Sequence, residues 1–319
     1  MAKNLFKNSK IQCPIKINST YYPESQTMEL EILEPESNMQ ENPAAFEGWT
    51  LLLLSRGICK KVILKFKSLE IDNKFYFDSV SAEKRHYFRF IYRLTKFSKQ
   101  FKDIFSISES NRKDMQLFQE HFLKIKKVND FPKKISSYNP NYGLEHILEQ
   151  GLASDEKLRK EYGIDFPLFN QLPNGLFQEA VEEKNRIFCK GRFDLWGISP
   201  EDTFNLFELK EPKNKQVGVI SELYFYANFA HDLLNEKDNF FLNKTKSDFR
   251  GYNLFSNGQL KKVKAYFLVH SFHSEIKDSI DNIMNLLNTN SPIEFSYIYY
   301  SLSDKKTEEI TKFLKNHLN

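Results

Sequence analysis

The sequence is poor in cysteine, histidine and tryptophan, with 3, 7 and 2 of them in 319 residues. Cys13, Cys59 and Cys189 are odd in number and far apart, which argues against both a disulfide framework and a cysteine-based zinc site. They read as reduced thiols in a cytoplasmic setting. His270 and His273 stand close together, but no cysteine or third histidine completes a ligand spacing, so they read as structural or surface residues. There is no glycine-rich phosphate loop: Gly218 after Val217 lacks the companions that motif needs, and nucleotide hydrolysis has no support. A serine or cysteine triad is equally unsupported. Long apolar runs are missing too. The longest aliphatic stretch, Leu51 to Leu54, is far too short to span a bilayer, and Met1-Ala2-Lys3-Asn4 leads into polar sequence without an apolar signal region. A soluble, cytoplasmic protein with no membrane partner is expected.

What the chain has in quantity is aromatic residues. Thirty Phe and fifteen Tyr, within a hydrophobic fraction of 40%, exclude wholesale disorder and supply large core side chains. The length suggests two regions, each with its own core. A net charge of +4 is too small to point to nucleic acid, but it is unevenly divided. Residues 1–142 hold 24 basic and 16 acidic residues and the remainder 22 and 26, giving +8 and −4. That division suits a basic docking region beside an acidic metal site.

Along the chain, Met28–Ile32, Val62–Phe66 and Phe75–Phe77 read as short strands, with a surface loop at Glu34–Ala45. From Ser81 to Phe105 the period becomes helical, with Tyr87, Phe90, Ile91, Leu94, Phe97 and Phe101 on one face and Arg85, Arg89, Arg93, Lys96 and Lys99 on the other. Seven Lys or Arg between Lys84 and Lys102, without an acid among them, could track a phosphate backbone or form a solvated face. A second helix is expected at Asn111–Lys127. The reading is therefore a β-rich and helical region over residues 1–131, a linker at 132–142, and a second domain at 143–319. In that domain Leu144–Ala153 is a helix, Gln171–Phe177 a turn, and Leu176–Glu182 with Ile187–Ile198 a hairpin. There follow a strand at Thr203–Leu209, a helix at Val217–Asn235, a strand at Val263–Val269, a helix at Ser274–Leu287, a strand at Ile293–Ser301 and a helix at Asp304–Leu318. This order predicts an α+β or α/β fold, a mixed sheet flanked by helices.

Asp194 falls near a strand end in Gly191-Arg192-Phe193-Asp194-Leu195-Trp196, and the neighbouring strand ends Phe207-Glu208-Leu209-Lys210. The period of two puts Glu208 and Lys210 on one face with Leu209 on the other, so both can share a pocket with Asp194. Charges flanked by apolar residues are costly unless they have a partner or a task.

These residues and their order of elements, over roughly Tyr142 to Asn235, resemble the PD-(D/E)xK, or restriction-endonuclease-like, nuclease superfamily, with Phe193 where the family name has Pro. The resemblance implies a restriction-endonuclease-like domain that hydrolyses phosphodiesters, with Asp194, Glu208 and the Leu209 backbone carbonyl holding Mg²⁺ or Mn²⁺ and Lys210 beside the attacking water. It also implies a helix glutamate, Glu145 with Glu149 as the alternative, and a Gln-x-x-x-Tyr pair whose counterpart here is Glu222 with Tyr226. Lys213 and Gln216 are candidates for contact with a phosphate or water, and Arg85, Arg89, Arg93 and Lys96 for contact with the substrate. The expected function is a nuclease acting on nucleic acid, DNA first, in restriction or antiviral defence by family analogy, with a homodimer or protein partner as further possibilities. The alternative is a non-catalytic nucleic-acid-binding or assembly protein that retains the fold.

Overall fold

The computed structural model describes residues 14–71, 76–77, 80–133, 144–165, 167–212, 216–244, 248–272 and 274–300. The expected linker lies almost wholly outside these residues, as do Lys213, His273 and the expected helix at 304–318. The described residues form a mixed α+β structure with three mixed sheets.

The N-terminal part builds a four-stranded sheet in the order β1 (Ile17–Tyr22), β2 (Thr27–Ile32), β3 (Lys61–Phe66), β4 (Phe105–Ile107). β1 and β2 are antiparallel, and the next two pairings are parallel. Strand β1 was not anticipated from sequence. Tyr76 and Phe77 form a turn rather than the expected strand, and their rings pack against Phe88, Phe118 and His121. Between β2 and β3 runs α1 (Phe46–Ser55), also unforeseen because it has only ten residues, buried nearly all round with no polar face in their sequence. The long basic helix is α2 (Ala82–Gln100), capped by the Ser81 hydroxyl on the Lys84 N–H, and α3 (Arg112–Lys124) follows.

A small second sheet joins the two halves of the chain. β5 (Lys127–Asn129) pairs with β7 (Leu176–Gln178) on one side and β10 (Phe240–Phe241) on the other. This corrects the expected hairpin: β7 turns away to β5, and only an isolated bridge between Phe177 and Arg186 remains. The segment read as a turn supplies the end of a strand instead, β6 (Phe169–Pro173), with only Asn174 and Gly175 left between it and β7.

The third sheet has the order β12 (Glu294–Tyr299), β11 (Lys262–Val269), β9 (Thr203–Lys210), β8 (Arg192–Ser199), β6. β6, β8 and β9 form an antiparallel meander, and β9, β11 and β12 run parallel. On one face lie α4 (Leu144–Ala153), within the bounds expected, and α5 (Glu156–Glu161). Their apolar side chains pack on Leu195, Phe207, Leu209 and Leu268. On the other face lies α6 (Gly218–Leu234), buried along nearly its whole surface. Beyond it come α7 (Tyr252–Asn257), α8 (Ser274–Lys277) and α9 (Ile280–Asn288), the last two replacing one expected helix.

Helix α6 is enclosed because α1 and α2 cover the side that the sheet does not. Gly218 sits against the Gln40 backbone so closely that a Cβ there would lie 2.1 Å from the Gln40 carbonyl oxygen, and one on Gly48 would lie 2.5 Å from the Val217 side chain. One continuous apolar cluster runs from Ile17 and Leu30 through Phe46, Phe90 and Phe97 to Tyr224, Phe229 and Phe295. Residues on both sides of the expected linker therefore share a core.

Candidate active site

The site forms where the five-stranded sheet splays. The β8–β9 ladder stops at Leu195↔Phe207, and beyond it the Asp194 carboxylate takes the next main-chain donor, accepting from the Leu209 N–H at 2.9 Å. On the other edge of β8 the ladder skips from Asn170↔Leu195 to Leu172↔Phe193, because Gln171 adopts φ 56°. A left-handed residue between paired neighbours behaves as a local break that re-aims side chains.

Glu208 and Lys210 leave β9 on the α6 face, and α6 answers with Glu222 and Tyr226. Lys210 Nζ lies 2.5 Å from Glu208 Oε1, 2.8 Å from Glu222 Oε2 and 3.7 Å from Glu145 Oε1 of α4. Glu222 Oε1 accepts from the Tyr226 hydroxyl at 3.1 Å and from the Gln40 amide, which arrives from the N-terminal part of the chain. Glu149, one turn along from Glu145, is held by both of its oxygens: Gln171 Nε2 donates to them at 2.7 and 2.8 Å, and Gln171 Oε1 in turn accepts from Arg192 at 3.0 Å. Thus Asp194, Glu208, Lys210, Glu145, Glu222 and Tyr226 are brought together, with Glu149 at the margin.

The charges do not balance. Burial pushes the Asp194 and Glu208 carboxyls well above the usual carboxylate range, and their like-charged neighbours add to this. Glu145 is raised by burial against the pull of Lys210, and Glu149 is pushed up to about 7, again chiefly by burial. Glu222 alone is held low: burial opposes its charge, but Lys210 and hydrogen bonds outweigh it. Lys210 is buried yet held well above its ordinary value by Glu208, Glu222, Asp194 and Glu145. One ammonium serves four carboxyls, and at three of them, Asp194, Glu208 and Glu145, burial prevails against the charge until more positive charge is supplied.

Hard oxygen donors in excess of cations suit Mg²⁺ or Mn²⁺. Among the described residues, Glu208 Oε2 and Glu222 Oε2 are buried and accept no hydrogen bond from an N–H or hydroxyl by distance and angle, so the two facing carboxyls call for either a shared proton or a cation between them. Among the described residues no three His, Cys, Asp or Glu side chains are arranged as a ready metal cage. The donor chemistry fits a divalent cation, and the present spacing is that of a lysine-bridged cluster.

Asp194, Lys210, Glu145, Glu222 and Tyr226 line the floor of a cleft of about 1110 Å³, whereas Glu208, 1% exposed, and Glu149 lie outside its lining. Its walls carry Arg85, Arg89, Lys133, Arg186, Lys190, Arg192 and Arg250. Sequence reading found Arg85 and Arg89 and missed the rest, which come from separate segments and leave no local pattern. The expectation of a free basic face on α2 is corrected: Arg93 is 1% exposed and ion-paired with Glu47 at 3.2 Å, and Lys96 is bound to Asp232 at 2.5 Å. Neither lines the cleft. Gln216 is exposed ahead of α6 and also stands outside it, and Lys213 is outside the described residues.

No family model matches the chain, and no curated protein or solved structure matches it either. Among the described residues no helix is long and apolar enough to cross a membrane.

Proposed function

We propose that this protein is a divalent-metal-dependent nuclease of the PD-(D/E)xK kind that hydrolyses phosphodiesters of DNA. The carrying observation is one arrangement: acidic side chains gathered around Lys210 on the floor of a cleft whose walls hold seven further Lys and Arg residues. An acidic floor suits a cation, and basic walls suit a polyanion that must approach that floor. The order of elements supports the same reading, with a helix bearing Glu145, antiparallel strands bearing Asp194 and Glu208-Leu209-Lys210, and then α6.

Asp194, Glu208 and the Leu209 carbonyl would hold Mg²⁺ or Mn²⁺, with Glu145 or Glu149 as a further donor. When bound, such a cation lowers the pKa of water and offsets charge on the phosphate. The chain's own residues then divide the remaining work. Arg and Lys of the walls hold the strand by its phosphates and fix its register. Glu222 keeps Lys210 protonated and aimed, and Tyr226 and Gln40 hold Glu222 in place. Lys210 donates to the attacking water or to the negative charge that develops on the phosphoryl oxygens. The water oxygen forms the new P–O bond and gives up a proton to solvent, the P–O bond to the departing strand end breaks, and that oxygen takes up a proton, leaving one end with a phosphate and the other with a hydroxyl.

A second reading, a nucleic-acid-binding protein without catalysis, draws on the lysine-bridged state of the carboxylates and the lack of a ready cage among the described residues. The two separate in one experiment: plasmid, linear and single-stranded DNA and RNA are incubated with Mg²⁺, Mn²⁺ or EDTA. Cleavage of DNA that needs metal supports the nuclease. Retarded migration of intact nucleic acid under every condition supports binding alone.

A further inference from the structure

Arg89 differs from the other two arginines of α2 and from Lys96. Arg85 is paired with Glu183 at 2.6 Å, Arg93 with Glu47 and Lys96 with Asp232. Arg89 is 4% exposed and lines the cleft, yet among the described residues no carboxylate lies within 4.0 Å of it. Its Nη2 donates to Asn38 Oδ1 at 3.2 Å and to His86 Nδ1 at 3.0 Å. A guanidinium can only donate, so His86 Nδ1 accepts and the imidazole is neutral. Burial, with Arg89 and Arg93 adding to it, pushes His86 down to about 4, consistent with that assignment. The Phe225 ring lies 5.6 Å from the guanidinium carbon. A desolvated guanidinium without an anion is costly, and in a cleft it is a fork awaiting two oxygens.

The same residue is wired to the acidic floor. Asn38 Nδ2 donates to Gln40 Oε1 at 3.3 Å, the Gln40 amide donates to Glu222 Oε1, and Glu222 Oε2 meets Lys210 at 2.8 Å. The two side chains of the loop ahead of α1 thus span from the basic wall to Glu222, which in turn meets the lysine.

We propose that Arg89 holds a phosphate of the bound strand other than the one being cut, and that the Asn38–Gln40 loop ties this subsite to Glu222 and Lys210. The identity of the strand rests on the nuclease reading, whereas the anion subsite itself does not need cleavage. Asn38 and Gln40 are positioning residues in this scheme.

The test measures binding and cutting apart. Binding of a short fluorescein-labelled single-stranded DNA is followed by anisotropy in EDTA. Arg89→Gln should weaken it about tenfold and reduce the salt slope by about one phosphate contact, while Arg89→Lys keeps part of the affinity. Gln40→Ala should bind within about twofold of wild type but cut about tenfold more slowly with Mg²⁺, whereas Asn38→Ala, which removes a hydrogen-bond partner of Arg89, should lose part of both. So that a folding defect in Arg89→Gln does not decide the outcome, a second measurement uses the unaltered protein. Cys189 lines the same cleft near Arg89, Arg85 and Arg186, so inorganic phosphate and the DNA should each slow its alkylation, read by mass spectrometry. Unchanged affinity in a folded Arg89→Gln, no protection of Cys189, or protection by inorganic phosphate but not by DNA would overturn the proposal. Loss of binding in Arg89→Gln without cleavage by wild type in any metal would sink the nuclease and leave the subsite standing.

Discussion

Glu149 is the residue whose chemistry can be read most directly in solution. Its carboxyl is raised from 4.5 to about 7, first by burial, so the folded state binds its proton more tightly than the unfolded chain does. The stability it contributes is fully present below the unfolded value and is lost as pH rises through about 7. A shift of that size is worth on the order of 3 kcal/mol. Glu149→Gln should therefore leave stability nearly unchanged at pH 4 and raise it at pH 8, measured by urea unfolding at both. A parallel loss at both would mean that the carboxyl is not neutral in the fold. At this scale the sequence was legible where chemistry followed a short period. Glu208 and Lys210 share a face because strand side chains alternate, and Glu222 and Tyr226 meet because they are four apart on a helix. Arg186, Lys190, Arg192 and Arg250 were illegible as a group, since only the folded chain brings them to one cleft.

At the scale of elements, the enclosure of α6 decides the layout. Arg93 of α2 and Glu47 of α1 are buried together, and Ser221 of α6 donates to Glu47 at 2.7 Å, so three helices meet at one ion pair. Removing one partner leaves a buried charge without its counterion. Glu47→Ala should cost about 3–5 kcal/mol in chemical unfolding, more than Glu47→Gln, which keeps the shape and an acceptor. The Gly218 contact gives a second prediction. Gly218→Ala should displace the Gln40 loop and slow cleavage even at temperatures where the protein stays folded, with circular dichroism as the control. Helices with one apolar face, such as α2, were legible from their period, and so was α4. Helix α1 was not: it has only ten residues, buried on nearly all sides with no polar stripe, whereas α6, as fully buried but 17 residues long, was expected at Val217–Asn235 and is found there. The expected hairpin of Leu176–Glu182 with Ile187–Ile198 failed for another reason: a single 3-10 turn at Glu183–Asn185 does join its two arms, but β7 enters the small sheet with β5, and β8 starts only at Arg192, in the five-stranded sheet.

Over the whole molecule, composition suggested a basic N-terminal region docked beside an acidic domain. The charge division is real, but the two parts are joined by one apolar cluster, by β5 between β7 and β10, and by Gln40 on Glu222. Full-length protein should therefore unfold in one cooperative transition, and a fragment of residues 144–319 should lack fixed tertiary structure because α6 would lose its cover. Near-ultraviolet circular dichroism of both checks this. A fragment with native-like signal would show that the region from α4 onward folds alone. The central claim concerns Lys210 and the acids around it, and single-turnover cleavage of plasmid DNA with Mg²⁺ by wild type and Lys210→Ala tests it most directly. The account predicts metal-dependent nicking or linearisation that falls by about 100-fold or more in the variant while DNA affinity in EDTA is kept. Equal cleavage by both proteins, or cleavage by wild type that persists in EDTA, would contradict it.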